Sequence, residues 1–197
     1  VGDLPAISMK GISKELPWPG ARCGWMEIYN YGKDPAFDRF INIILHQKMS
    51  EVCSTTLPQL AIPKIMTHPE YKSYLDERRN HYARMSDIAY NILKDVPYLM
   101  VNKSNGAFYM TIVMNEAALN SRQKLRIENR EVREFVENLT KETIEHDKRF
   151  VYYLLASTGI CVVPLTSFFT PLLGFRITLL HKDVGEFEQT VRTIAEK

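Results

Sequence analysis

The sequence contains no apolar run of about 18 residues, the length a membrane-crossing helix needs, so no membrane partner is expected. Cysteine is scarce. Cys23, Cys53 and Cys161 are widely separated, odd in number and without a CxxC spacing, which argues against a zinc or dithiol site and favours a reducing compartment. The five histidines, His46, His68, His81, His146 and His181, share no ligand spacing, so no metal site is expected. Neither sign of charge dominates: 25 basic and 23 acidic side chains are well mixed and leave a formal net charge of +2. That balance lacks the basic stripe of a nucleic-acid binder, and no nucleic-acid partner is expected. Internal repeats and low-complexity tracts are missing too. The chain opens on Val1 rather than Met, with Leu4, Ala6 and Ile7 already reading as a strand. It therefore reads as a piece of a longer protein with any targeting signal upstream, and a cytoplasmic location is the expectation.

What is present is a chain of 197 residues with 45% hydrophobic content, enough for one good core or two modest ones. Residues 1 to 31 read as two strands flanking a rigid loop that holds Gly11-Ile12-Ser13-Lys14 and Pro17-Trp18-Pro19-Gly20. Asp34-Pro35 supplies an N-cap and a proline at the first helical position. The spacing predicts a helix to about Met49 that packs Phe37, Phe40, Ile41, Ile44 and Leu45 on a sheet. Pro58 and Pro63 predict a short or broken helix over 54–66. A long helix follows from His68-Pro69-Glu70 to about Asp95, with apolar ends and a charged centre suited to bridging two domains.

Beyond Pro97, Tyr98 to Val101 and Ala107 to Met114 predict a hairpin about a Ser104-Asn105-Gly106 turn. The charged tract 120–133 predicts a mobile insertion or exposed helix, and a helix from about Asn129 ends at Gly159. A short buried strand over 160–163, a loop over 164–173 and a strand over 174–180 follow. Asp183 with Glu186 forms an acidic capping box for a last helix to Ala195.

Chemistry gathers at three residues. A lysine that condenses with an aldehyde needs a rigid mount and a neutral amine, and a fixed cation nearby favours that neutral form. Lys14 sits where a strand gives way to a Pro/Gly-rich loop, and Arg22 follows eight residues later. Arginine suits a phosphate because its planar fork makes parallel charge-assisted bonds at any workable pH. Arg176 lies inside the apolar strand Phe175 to Leu180, where an unpaired buried cation is costly, so it should face an anion or reach out to solvent.

Ser13-Lys14 followed by Pro19-Gly20-Ala21-Arg22-Cys23-Gly24-Trp25 resembles the cofactor-lysine signature of the class I and II aminotransferases, enzymes of pyridoxal-phosphate (PLP) fold type I. Asn105-Gly106-Ala107-Phe108-Tyr109, Gly159 to Pro164 and Gly174-Phe175-Arg176-Ile177 resemble later segments of that family, in the same order. The resemblance implies that Lys14 holds PLP as a Schiff base, with Ser13 and Arg22 in the cofactor-binding set. It implies that Arg176 grips the substrate α-carboxylate. It further implies an α/β chain: residues 1–67 as the C-terminal part of a large PLP domain, 68–95 as an interdomain helix, and 96–197 as a small α+β domain. Amino-acid and 2-oxo acid substrates and a homodimer are implied as well.

Some letters depart from the pattern. Gly11 stands where aspartate aminotransferases place a phosphate-contacting serine, and Leu165 follows Pro164 where many relatives have glycine. No arginine occupies 48–52, where relatives acting on dicarboxylic substrates grip the second carboxylate, so an alanine-like or broad amino donor fits at least as well as aspartate. The family's glycine-rich phosphate turn and ring-contacting residues precede the lysine and have no counterpart here. Another PLP reaction on the same fold, carbon–sulfur lysis or decarboxylation, and a catalytically silent fragment stay open as alternatives.

Overall fold

The computed structural model describes residues 1–197 except Cys53 and Thr143, and for Ala118 the backbone alone. Cys53, weighed above with the other cysteines, therefore lies outside the described residues. The chain divides into two units, Val1–Ser73 and Tyr74–Lys197.

In the first unit, β1 (Ala6–Gly11) is followed by a helical turn, α1 (Ile12–Glu15), by a 3-10 turn at Pro19–Ala21 and by β2 (Gly24–Tyr29). The two strands pair antiparallel from Ala6 opposite Tyr29 to Gly11 opposite Gly24. The expected rigid loop is thus two short helical turns, tied across its mouth where the Ile12 N–H donates to the Cys23 carbonyl at 3.3 Å. Beneath it, Ile12, Ala21 and Ile62 form a small core flanked by Leu16, Trp25 and Met66.

Helix α2 (Pro35–Met49) begins as its letters dictate: Asp34 Oδ1 accepts from the Ala36 and Phe37 amides at 2.7 and 3.0 Å. Its packing differs from expectation. Only Ile41 is buried, and Phe40 and Leu45 are exposed, because no sheet lies against that face among the described residues. Helix α3 (Thr56–Met66) runs unbroken, which corrects the proline-based expectation. Pro58 falls in the first turn, where its missing N–H would have had no intrahelical acceptor, and Pro63 forfeits one bond near the end of the helix.

Helix α4 (Tyr71–Leu93) crosses the division between the units. Within the second unit it buries Met85, Ala89 and Leu93, spaced four apart on one stripe. The unit continues through β3 (Leu99–Val101), β4 (Tyr109–Met114), α5 (Arg130–Leu139), α6 (His146–Thr158), β5 (Val163–Pro164), β6 (Gly174–Thr178) and α7 (Val184–Ala195). Its sheet has the order β3-β4-β6-β5 with every neighbour antiparallel. Met110, Ile112, Phe175, Phe187 and Val191 fill the core between sheet and helices, each such side chain contributing about 1.5–3 kcal/mol by leaving water. Gly174 permits the closest strand contact: at φ +151 a Cβ there would lie 2.2 Å from the Ile112 carbonyl.

In the tract 120–133 most residues are exposed, Ile127 is buried against Val136 and Tyr153, and α5 begins at Arg130. Two expectations for this unit are corrected. The helix expected from Asn129 to Gly159 is two, α5 and α6, the second closed by Gly159 at φ 77. The strand expected over 160–163 is reduced to β5, and Leu165–Phe168 forms a 3-10 turn within the expected loop. The acidic cap of α7 is present, Asp183 Oδ1 accepting from the Glu186 amide at 2.8 Å. Strands and helices thus make a mixed α/β chain in which no helix among the described residues is long and apolar enough to cross a membrane.

Candidate functional site

In the first unit the last rung of the hairpin, Gly11 opposite Gly24, sets the geometry of the loop beyond it. Ser13 and Lys14 leave that rung on one side and Arg22 on the other, so all three sit at the same end of the ladder. Gly24 is required there, because a Cβ would lie 2.8 Å from the Lys10 carbonyl. Ser13 is half-buried in α1, and Lys14 is exposed one residue further on. Arg22 adopts the left-handed conformation, φ 50 and ψ 47, which is uncommon for a side chain of this size and marks a loop held by its surroundings. Its Nη1 donates to the Pro19 carbonyl at 2.9 Å, and its carbonyl accepts from the Thr55 hydroxyl at 3.3 Å.

That last bond ties the loop to the start of α3. Thr55 precedes α3 but caps it with no side-chain bond, its hydroxyl being turned to Arg22 instead. A groove of about 780 Å³ runs past Arg22, Trp25, Thr55, Gln59 and Met66. Lys14 does not line it.

These residues fit a phosphorylated aldehyde. One of the five Arg22 donors is held by Pro19, which fixes the fork while leaving others for a phosphate, and the Lys14 amine stands in solvent reach at the same end of the hairpin.

In the second unit Arg176 lies on β6, with its guanidinium carbon 4.2 Å from the Tyr109 ring centroid and 4.3 Å from that of Phe168. Two aromatic faces hold the cation flat. Its Nε is buried without a hydrogen-bond partner, a donor that costs about 1–3 kcal/mol to leave unmet. The arginine therefore does not reach solvent through its whole fork, and no carboxylate among the described residues pairs with it. Phe168 is set by a residue that sequence reasoning missed. Asp147, fully buried in the first turn of α6, accepts from the Thr166 amide at 3.0 Å and the Thr166 hydroxyl at 2.8 Å, anchoring the 3-10 turn that ends at Phe168. No local signal distinguishes Asp147 from its exposed acidic neighbours, because its partner lies 19 residues away.

Comparisons with known proteins bear on the family. The family model described as aminotransferase class I and II matches residues 1–194. The chain is 54% identical over all 197 residues to an uncharacterized aminotransferase from Methanocaldococcus jannaschii, of which it covers 45%. It is 35% identical to a tyrosine aminotransferase from Caenorhabditis elegans over 119 residues, which are 60% of this chain and 25% of that protein. Among solved structures, an alanine aminotransferase from Pyrococcus furiosus superposes over 100% of this chain and 42% of its own length with a TM-score of 0.70 at 22% identity, a likeness of fold. The chain thus spans less than half the length of these relatives, and it belongs to the aminotransferase class I and II family.

Proposed function

We propose that this chain is the C-terminal half of a PLP-dependent transaminase, which moves the amino group of an amino acid to a 2-oxo acid. The observation that carries the reading is Arg176: a half-buried arginine clamped between two aromatic rings, with its Nε buried and unpartnered, is a receptor for a carboxylate. Lys14 holds the cofactor through its amine, with Arg22 and Ser13 on the phosphate side. When bound, PLP supplies the electron sink that acidifies the substrate Cα–H.

The chain's own residues then do three things. Arg176 takes the substrate carboxylate in its fork and thereby fixes the direction of the Cα–H bond. Tyr109 and Phe168 exclude water from the outer faces of that guanidinium, which strengthens its grip in a low-dielectric setting. With the cofactor bound, the Lys14 amine would serve as the base that takes the proton from the substrate Cα. Residues 1–67 fit the large cofactor domain, 68–95 the interdomain helix and 96–197 the small domain, within a homodimer. A monocarboxylic amino acid, alanine-like or aromatic, is the preferred donor, since no arginine occupies 48–52 and the Caenorhabditis elegans relative is a tyrosine aminotransferase.

Borohydride reduction of the full-length protein in PLP, followed by peptide mass spectrometry, tests this. PLP fixed on the peptide containing Lys14, and lost in Lys14→Ala, is the expected result. PLP fixed on another lysine, or release of carbon dioxide or a thiol rather than a 2-oxo acid from the amino substrate, would overturn it.

A further inference from the structure

The second unit holds a cavity of about 560 Å³ that none of the residues assigned above lines. Its size falls within the range of about 300–1,000 Å³ typical of small-molecule sites. Leu99 and Met114, opposite each other in the sheet, share its wall with Phe175, whose register partner Ile112 lies two residues from Met114. Side chains alternate across a strand, so Phe175 and Arg176 point to opposite faces. The cavity is therefore on the far side of the sheet from the carboxylate arginine. It is a separate site.

Its lining holds no acidic side chain, and its ionisable nitrogens are those of Lys124, Arg149, His146 and Lys197, beside Gln123. Arg149 is 7% exposed, donates from Nε to the Gln123 carbonyl and from Nη1 to the Thr140 carbonyl, both at 3.0 Å, and stacks 5.0 Å from the Tyr153 ring centroid. Carbonyls and a ring orient the guanidinium but do not cancel its charge. No carboxylate pairs with it among the described residues. Glu137 pairs with Lys124 at 2.7 Å and Asp147 accepts from Thr166, and neither forms an ion pair with Arg149. Tyr153, 2% exposed, also lines the cavity, and its hydroxyl is buried with no partner. An uncompensated buried cation beside an orphaned hydroxyl is costly in an empty cavity and favourable around an anion. Both Arg149 and His146 lie in the first turn of α6, whose amide dipoles add to the same preference.

We propose that this cavity binds a small aromatic carboxylic acid, its carboxylate on Arg149 and Lys124 with the Tyr153 hydroxyl in reach, and its ring against Leu99, Phe150 and Phe175. The probe is 3-phenylpropionate, which carries neither an amino nor an oxo group and so is no substrate. It is titrated into the full-length protein by calorimetry and by saturation-transfer NMR, alongside the uncharged 3-phenylpropanol. The expected result is saturable binding of the acid and none of the alcohol. Measured in the Arg176→Met background, where the substrate site cannot contribute, Lys124→Met and Tyr153→Phe each weaken it about threefold to tenfold and Arg149→Met at least tenfold. If Arg149→Met loses its far-UV circular dichroism, the exposed Lys124→Met and the near-isosteric Tyr153→Phe decide the matter. Equal binding of acid and alcohol, binding abolished by Arg176→Met alone, or no saturable binding at millimolar acid would each overturn the proposal.

Discussion

Replacing Asp147 probes the link between the buried interior of α6 and the aromatic clamp on Arg176. In Asp147→Ala the Thr166 amide and hydroxyl lose acceptors at 3.0 and 2.8 Å, and the cavity left is fully enclosed. A hydrogen bond to a charged acceptor contributes about 1.5–3 kcal/mol, so losing the amide bond alone raises the local opening constant by about 10- to 150-fold. Asp147→Asn keeps one carbonyl acceptor but turns an amide donor toward Thr166, so its effect falls between wild type and alanine. Hydrogen exchange of the full-length protein reads this directly at the 164–169 segment. Because Phe168 ends that turn and covers Arg176, the same variants raise KM for the amino substrate more than they lower kcat. Exchange within twofold of wild type in Asp147→Ala, or a fall in kcat at constant KM, would refute the coupling.

Gly174→Ala forces a Cβ to 2.2 Å from the Ile112 carbonyl at φ +151, so loss of more than about 3 kcal/mol, seen as failure to accumulate folded protein, is expected. Arg22→Gly relieves a left-handed backbone and raises thermal stability by up to about 1 kcal/mol while weakening PLP retention on dialysis; a less stable variant would contradict the strain argument. The Phe37 and then Ala36 amides hold the Asp34 carboxyl below its ordinary value, so its support of α2 is present above about pH 3.9 and is lost as pH falls through the lower folded value. Asp34→Ala should therefore lower helicity at neutral pH and match wild type under strong acid by circular dichroism. A pH-independent difference would contradict this.

Local chemistry made much of the fold readable. Asp34-Pro35, Gly159 and Asp183-Glu186 each act within one turn of helix, and each stands where its letters place it. The α3 prolines misled because Pro58 falls in the first turn, where the rule for helix interiors applies weakly, and because Pro63, inside the helix, costs one bond without breaking it. The split of α5 from α6 was hidden because Ile127 and Val136 pack with Tyr153, a tertiary contact that periodicity does not report. The site divides in the same way. Lys14 and Arg22 belong to one short motif, so their place at the same end of the hairpin follows from local sequence, while the cofactor role proposed for them rests on the resemblance. The clamp of Tyr109 and Phe168 on Arg176 joins three separate segments, and the left-handed Arg22 depends on the closure of its loop, so neither leaves a mark in the letters.

The β1–β2 ladder has a further consequence for handling the protein. Two strands alone make a marginal sheet, and each keeps one edge without a strand partner among the described residues. Such edges template pairing with other chains, and the exposed Met9 and Lys10 set an apolar side chain beside a charged gatekeeper on one of them. The hairpin that presents Lys14 is thus also the segment through which concentrated chains would zip together. Additional strands laid along it would order the lysine's mount and remove that route to aggregation in a single step.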